Sequence, residues 1–193
     1  MTSVKIGRQQ WATEDLRVTH FRNGDPIPLA ITDDHWHYMD GPLMCITVNG
    51  EHLYNWHAVN DERGLAPKGF RVPSDDQWTE LVDFYGGPER AGLRLRSIAW
   101  GGHESTVFDA MPTGGRSQED GTFRNVGWVA YWWTSTQEGK AAWLRNLASG
   151  YANVNRAISS KRSGCAVRCI KNKSQRNPRQ LVTIPQKETH FPL

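Results

Sequence analysis

Acidic side chains are missing from one long stretch of this chain. Between Gly139 and Lys187 there is no Asp or Glu, against eleven Lys or Arg. The formal charge of +3 therefore hides a segregation. Residues 1–138 carry 12 basic and 19 acidic side chains, and residues 139–193 carry 11 and 1. Calcium needs carboxylates, so no calcium site is expected on the acid-free part, although Asn153 and Asn155 offer amide oxygens. Cysteine is also scarce. Cys45, Cys165 and Cys169 are too few for a disulfide scaffold, and a single bridge, Cys45 to Cys169 first, is the most they support. There is no C-x-x-C or Cys/His cluster to hold a structural zinc. The opening MTSVKIGRQQWATEDLRV has no apolar core and no lipid-accepting Cys, and no run of the chain is long and apolar. The expectation is no secretory signal and no membrane span. G-x-S-x-G, P-loop and G-x-G-x-x-G contexts are missing too. The reading is non-enzymatic, without cofactor or metal.

What is present describes a globular domain. A length of 193 residues fits one domain with an appendage. Nine Trp beside 18 Gly and 10 Pro suggest a loop-rich fold held by aromatic anchors rather than a helical bundle. Val4–Leu16 reads as a short strand, then a turn-like helix opened at Thr13, where Glu14 and Asp15 follow a capping hydroxyl. Cys45–Val48 and Leu53–Trp56 flank Asn49-Gly50, a hairpin signal. Ser74–Tyr85 is the clearest helix. Ser74 and Gln77 form a capping box, and Trp78, Leu81, Val82 and Tyr85 make one apolar stripe. A shorter helix follows at Ala91–Leu95, then Gly-rich loops over about 100–127. Tyr131–Ser135, Ala142–Leu147, Tyr151–Arg156 and Gly164–Ile170 read as short strands. In the last, Cys165, Val167 and Cys169 share one face and Ala166 and Arg168 the other. The class is α+β: two helices, small antiparallel sheets and long ordered loops, over residues 1–171. Residues 172–193, polar and interrupted by Pro178, Pro185 and Pro192, read as a separate basic extension suited to docking on a neighbour.

Two other chemistries fit parts of the sequence. Asp34, His35 and His37 form a metal-like cluster if they lie on a strand, since H-x-H then puts both imidazoles on one face; a loop with aromatic packing is the commoner outcome. Arg145, Arg156, Lys161, Arg162, Arg168, Lys171, Lys173, Arg176 and Arg179 are the groups a nucleic-acid backbone would meet.

Four blocks carry a family resemblance: VKIGRQQWATEDLRVTHFRNGDPIP, LYNWHAVNDERGLAPKGFRVPSDDQWTELVDFYGG, GWVAYWWTSTQEGKAAWLRN and GCAVRCIKN. In that order they resemble the Fibrobacter succinogenes major paralogous domain family, over about residues 4–172. The resemblance implies a C-type-lectin-like fold, with Trp56, Trp78, Trp132 and Trp143 in the core, Pro73-Ser74 opening the first helix, and Gly69 and Gly86 in turns. The calcium-site motifs of true C-type lectins, Glu-Pro-Asn or Gln-Pro-Asp with Trp-Asn-Asp, do not occur here. The formylglycine-generating enzymes have a related fold and use paired cysteines, but Cys165 and Cys169 sit in an expected core strand.

In relatives, the closing strands and their loop are targets of diversity-generating retroelements, which mutate adenines in Asn-type codons. The run Ala148-Ser149-Gly150-Tyr151-Ala152-Asn153, then Asn155, then Ala157-Ile158-Ser159-Ser160, uses only residue types reachable that way. The resemblance thus implies a variable binding face. Its contact residues are expected to be Arg145, Asn146, Ala148, Ser149, Tyr151, Asn153, Asn155, Arg156, Ala157, Ile158, Ser159 and Ser160. Tyr151 is the aromatic anchor, the asparagines the hydrogen-bonders, and Arg145 and Arg156 the charge. The expected partner is a host cell-surface protein or glycan, met by a phage or prophage tail or fibre protein. The basic extension would hold other virion proteins, and homo-oligomerisation is compatible with this. An exported bacterial cell-surface adhesin domain is the alternative placement, and an enzyme or metal-binding protein the second alternative.

Overall fold

In the computed structural model, residues 1–103 and 107–172 are described. The chain opens with a hairpin, β1 (Ser3–Ile6) and β2 (Gln9–Ala12), turning at Gly7-Arg8. This replaces the helix expected from Thr13. The acid that would have supported such a helix is used elsewhere: Asp15 Oδ1 accepts from Arg168 Nε at 2.6 Å and Trp132 Nε1 at 2.9 Å. A long-range buried pair outweighs a local cap.

The segment with His35 and His37 is a short helix, α1 (Asp33–Tyr38), capped by the Thr32 hydroxyl. On a helix, side chains two apart diverge by about 200°, so the shared face needed for two metal-binding imidazoles does not form. β3 (Met44–Ile46) and β4 (His52–Tyr54) form the expected hairpin around Asn49-Gly50. Asn55 then caps a one-turn helix, α2 (Trp56–Val59), that no periodicity announces. After β5 (Phe70–Arg71) comes the main helix, α3 (Asp75–Phe84), with the Ser74/Gln77 capping box in place. It is followed by α4 (Ala91–Leu95) and a 3₁₀ turn at Ile98–Trp100.

Among its described residues the Gly-rich region contains a small hairpin, β6 (Gly115–Arg116) and β7 (Phe123–Arg124). Three longer strands follow: β8 (Val129–Glu138), β9 (Ala141–Ala148) and β10 (Asn155–Ser160). They form an antiparallel sheet in the order β10-β9-β8. The strand expected at Tyr151–Arg156 starts only at Asn155, because residues 149–154 form the connecting loop. Residues 164–166 make single bridges before β11 (Ile170–Lys171), which enters a second sheet of order β1-β2-β11-β5.

The β8–β10 sheet separates two apolar clusters. Trp132 and Trp133 are consecutive, so they point to opposite sides. Trp132 joins Trp11, Trp78 and Phe108, whose rings meet at centroid distances of 4.9–5.9 Å. Trp133 joins Tyr54, Trp56, Cys165, Val167 and Cys169, and its indole donates to the Tyr54 carbonyl at 2.9 Å. The expected alternation of Cys165, Val167 and Cys169 against Ala166 is present, with Ala166 in the first cluster. The expected Cys45–Cys169 bridge does not form. Cys45 lies in the first cluster and Cys169 in the second, and all three cysteines are buried free thiols. Trp143, expected in the core, is only half-buried. No helix among the described residues is long and apolar enough to cross a membrane. The 172–193 extension, Asn172 apart, lies outside the described residues.

Candidate functional site

β9, the 149–154 loop and β10 carry the expected binding residues, and strand alternation divides them between two faces. The register pairs Asn146 with Asn155, Leu144 with Ala157 and Ala142 with Ser159 on one face. Arg145–Arg156 and Trp143–Ile158 lie on the other.

The second face packs on α3, which settles the role of Arg145. Its side chain is buried and reaches Asp75 Oδ1 at 2.9 Å through Nε, and Thr79 Oγ1 at 2.8 Å through Nη2. Arg145 is therefore a frame residue and does not supply charge to a ligand. Arg156 holds the other oxygen of Asp75 at 2.6 Å and lies over the Trp143 ring at 3.4 Å, with about half of its side chain in solvent. Ile158 is exposed beside it.

On the first face a row runs across the sheet, Tyr131–Asn146–Asn155. Asn155 Nδ2 donates to Asn146 Oδ1 at 2.9 Å, and Asn153 Nδ2 donates to Asn155 Oδ1, making an amide ladder. The Tyr131 hydroxyl accepts from Asn125 Nδ2 at 2.8 Å. Next to this row is a cavity of about 250 Å³ that includes Ser117, Arg124, Asn125, Tyr131, Ser159 and Ser163. Of these only Ser159 was foreseen. Tyr131 comes from β8, opposite Asn146, and the others from the β6–β7 hairpin and neighbouring turns, where no sequence period connects them to β9 and β10.

The loop between β9 and β10 is fastened by its backbone. Ser149 N donates to Trp128 O at 2.8 Å, Gly92 N to Ala152 O at 2.8 Å and Val154 N to Pro88 O at 2.7 Å. The Arg96 guanidinium adds a bond from Nη2 to Ala148 O at 2.7 Å. Tyr151, 65% exposed, stands clear of this scaffold. Ala148, Ser149, Asn153, Ala157, Ser159 and Ser160 are partly exposed.

Most of the basic stretch is already occupied. Arg168 is buried on Asp15, Arg162 pairs with Asp40 at 3.2 Å, and Lys161 donates to Gln137 Oε1 and Gly139 O. A continuous phosphate-binding stripe is therefore not assembled from Arg145, Arg156, Lys161, Arg162 and Arg168; Lys173, Arg176 and Arg179 lie outside the described residues. No group of three or more His, Cys, Asp or Glu side chains is gathered for a metal ion among the described residues. Burial pushes the Cys45 thiol up to about 11 and Cys169 to about 12, and raises Cys165 further.

This mixed fold of few helices and small antiparallel sheets, with its Trp-centred core, coincides with a family match. The Fibrobacter succinogenes major domain matches residues 4–171, and the chain belongs to that family. No curated protein sequence and no solved structure matches the chain.

Proposed function

We propose that the domain is a non-enzymatic binding module of C-type-lectin-like fold, carried on a phage or prophage virion for attachment to a host surface. The observation that carries this reading is the burial pattern of residues 146–160. In that stretch only Leu147 and Val154 are buried, and every other side chain is partly or fully exposed. Apart from Ala157, which packs against the second apolar cluster, those side chains can be replaced without entering the core, which is what a variable face requires. The buried frame of Asp75, Arg145 and Thr79, and the backbone bonds of the loop, fix the geometry beneath.

Tyr151 supplies a rigid amphipathic contact at low entropy cost. The amide ladder ends in the Asn153 oxygen and the Asn146 amide nitrogen, an acceptor at one end and a donor at the other. The mixed architecture, with a long loop region beside a small central sheet, supports the lectin-like reading. The expected partner is a surface protein or glycan of a bacterial host.

Replacing Tyr151, Asn153 and Asn155 together with Ala tests it. Binding of the labelled protein to a panel of bacterial cells is expected to disappear while the melting temperature stays within about 2 °C, as for exposed substitutions. A collapse in melting temperature, or unchanged binding to cells that the parent protein recognises, defeats the reading.

A further inference from the structure

Among the described residues four arginines are buried: Arg96, Arg116, Arg145 and Arg168. Three have a carboxylate partner. Arg116 meets Asp33 at 3.2 Å, Arg145 meets Asp75 at 2.7 Å and Arg168 meets Asp15 at 2.6 Å. Arg96 has none among the described residues, although it is only 3% exposed. A buried cation without an anion is costly, and native structures almost always pair it.

The other contacts of Arg96 are few. Nη2 donates to Ala148 O, and Nε is buried without a partner. The guanidinium lies 5.2 Å from the Trp100 ring centre, and the Trp100 indole N–H is also buried without a partner. Burial lowers the Arg96 pKa, and among the described residues no acid opposes that shift. Both side chains line a cleft of about 530 Å³, with Leu93, Ser149, Gly150 and Ala152 among its other walls and no acid among the described residues that line it.

We propose that this cleft is a subsite for the carboxylate of an acidic sugar. The proposal rests on the binding-module reading and names a ligand class for it. A carboxylate supplies the missing counter-ion and accepts in the plane of the guanidinium. Two exposed aromatics are joined through their backbone to the loop that forms one wall of the cleft, and an aromatic surface nearby favours a sugar. Trp128, 68% exposed, takes the Ser149 N–H on its carbonyl, and Tyr151 N donates to the same Ala148 oxygen as Arg96, at 3.3 Å. Flat amphipathic rings suit the C–H face of a pyranose, while Ser149 offers a hydroxyl-sized partner. A concave cleft of this size suits one small ligand residue; a folded protein epitope needs a broader contact.

The test follows the Arg96 Nε–H and Trp100 Nε1–H signals of the full chain by ¹⁵N NMR. D-glucuronate is titrated first, with D-glucose, acetate and an Asp-Glu-Asp peptide as the other arms. Saturable shifts of both signals with glucuronate, absent with glucose and about tenfold weaker with acetate, are expected. Arg96→Gln should weaken glucuronate binding by about tenfold or more, the scale of a lost charge-assisted bond. Because Arg96 also braces Ala148, Trp100→Phe is the second variant; it keeps an aromatic ring and Arg96 but removes the indole N–H, and should weaken binding severalfold, read on the Arg96 signal.

Glucuronate leaving both signals unmoved in the parent, or shifting the Trp100 signal with unchanged affinity in Arg96→Gln, overturns the proposal. Tighter binding of the acidic peptide than of glucuronate also overturns it and assigns the cleft to protein. If the parent still binds bacterial cells through Tyr151, Asn153 and Asn155 while glucuronate does nothing, the subsite fails and the binding module stands.

Discussion

Arg145 and Asp75 meet inside the protein, Nη2 to Oδ1 at 2.7 Å, with side chains 5% and 6% exposed. The pair ties the middle of β9 to the first turn of α3, and the same carboxylate reaches out to Arg156. Removing one partner of a buried pair costs about 3–5 kcal/mol when the other charge is left alone; Asp75 keeps Arg156, so the loss is about 3 kcal/mol. Arg145→Ala is therefore expected to lower stability by that amount in urea unfolding. Arg156→Ala, at a half-exposed position, should cost about 1 kcal/mol or less. Equal losses for the two variants would show that the inward and outward arginines are not distinguished in this way.

This pair also marks where the sequence stopped being legible. The α3 capping box, the Asn49-Gly50 hairpin and the alternation at Cys165–Cys169 are local or periodic, and each was readable. Arg145 looked like one more base in an acid-free stretch because its acid is 70 residues away in sequence. The helix expected at Thr13 failed for the same reason, since Asp15 is claimed by Arg168, 153 residues on. The family resemblance put Trp143 in the core, but its partner is the Arg156 guanidinium at the surface. The expected contact residues fall on β9, β10 and the loop between them, but their division between two faces required the register of the two strands.

The cysteines give a second prediction. Burial holds Cys45 and Cys169 near 11 and 12 and puts Cys165 higher, so thiolate is negligible at neutral pH. In the native protein a thiol reagent such as iodoacetamide should modify none of the three on a timescale of minutes. In denaturant without reductant all three should react. Fewer than three modified residues there would mean that a disulfide forms after all.

His52 predicts a pH dependence. Its ring is half-buried with Nδ1 unpartnered, and burial, helped by Arg17, lowers its pKa below the ordinary 6.5; the Val18 carbonyl and Glu51 oppose this. Between the folded pKa and 6.5 the unfolded chain binds a proton that the folded chain refuses. This contribution to stability is therefore present above 6.5 and is lost as pH falls through that window. Urea midpoints measured from about pH 7.5 down to about pH 5 should decline more steeply in the parent than in His52→Gln. Identical slopes would remove His52 from the account.

Gly92 connects α4 to the 149–154 loop through a contact with no room for a side chain. Its N–H donates to Ala152 O at 2.8 Å, and a Cβ built on it would lie 2.5 Å from that oxygen and 2.9 Å from Asn153 O. Both obstacles are backbone, so neither yields by a rotamer change. Gly92→Ala is expected to push the 152–153 segment away from α4 and to lower stability by about 1–3 kcal/mol, the usual cost of overpacking. The amide ladder begins at Asn153, so the displacement should also misalign Asn153 with Asn155. Cell binding should then fall although every proposed contact side chain is unchanged. Amide shifts confined to the neighbourhood of residues 92 and 150–156, together with the stability loss, would confirm the coupling. A variant with parent-like stability and unmoved Ala152 and Asn153 amides would show that the loop is not set by this contact.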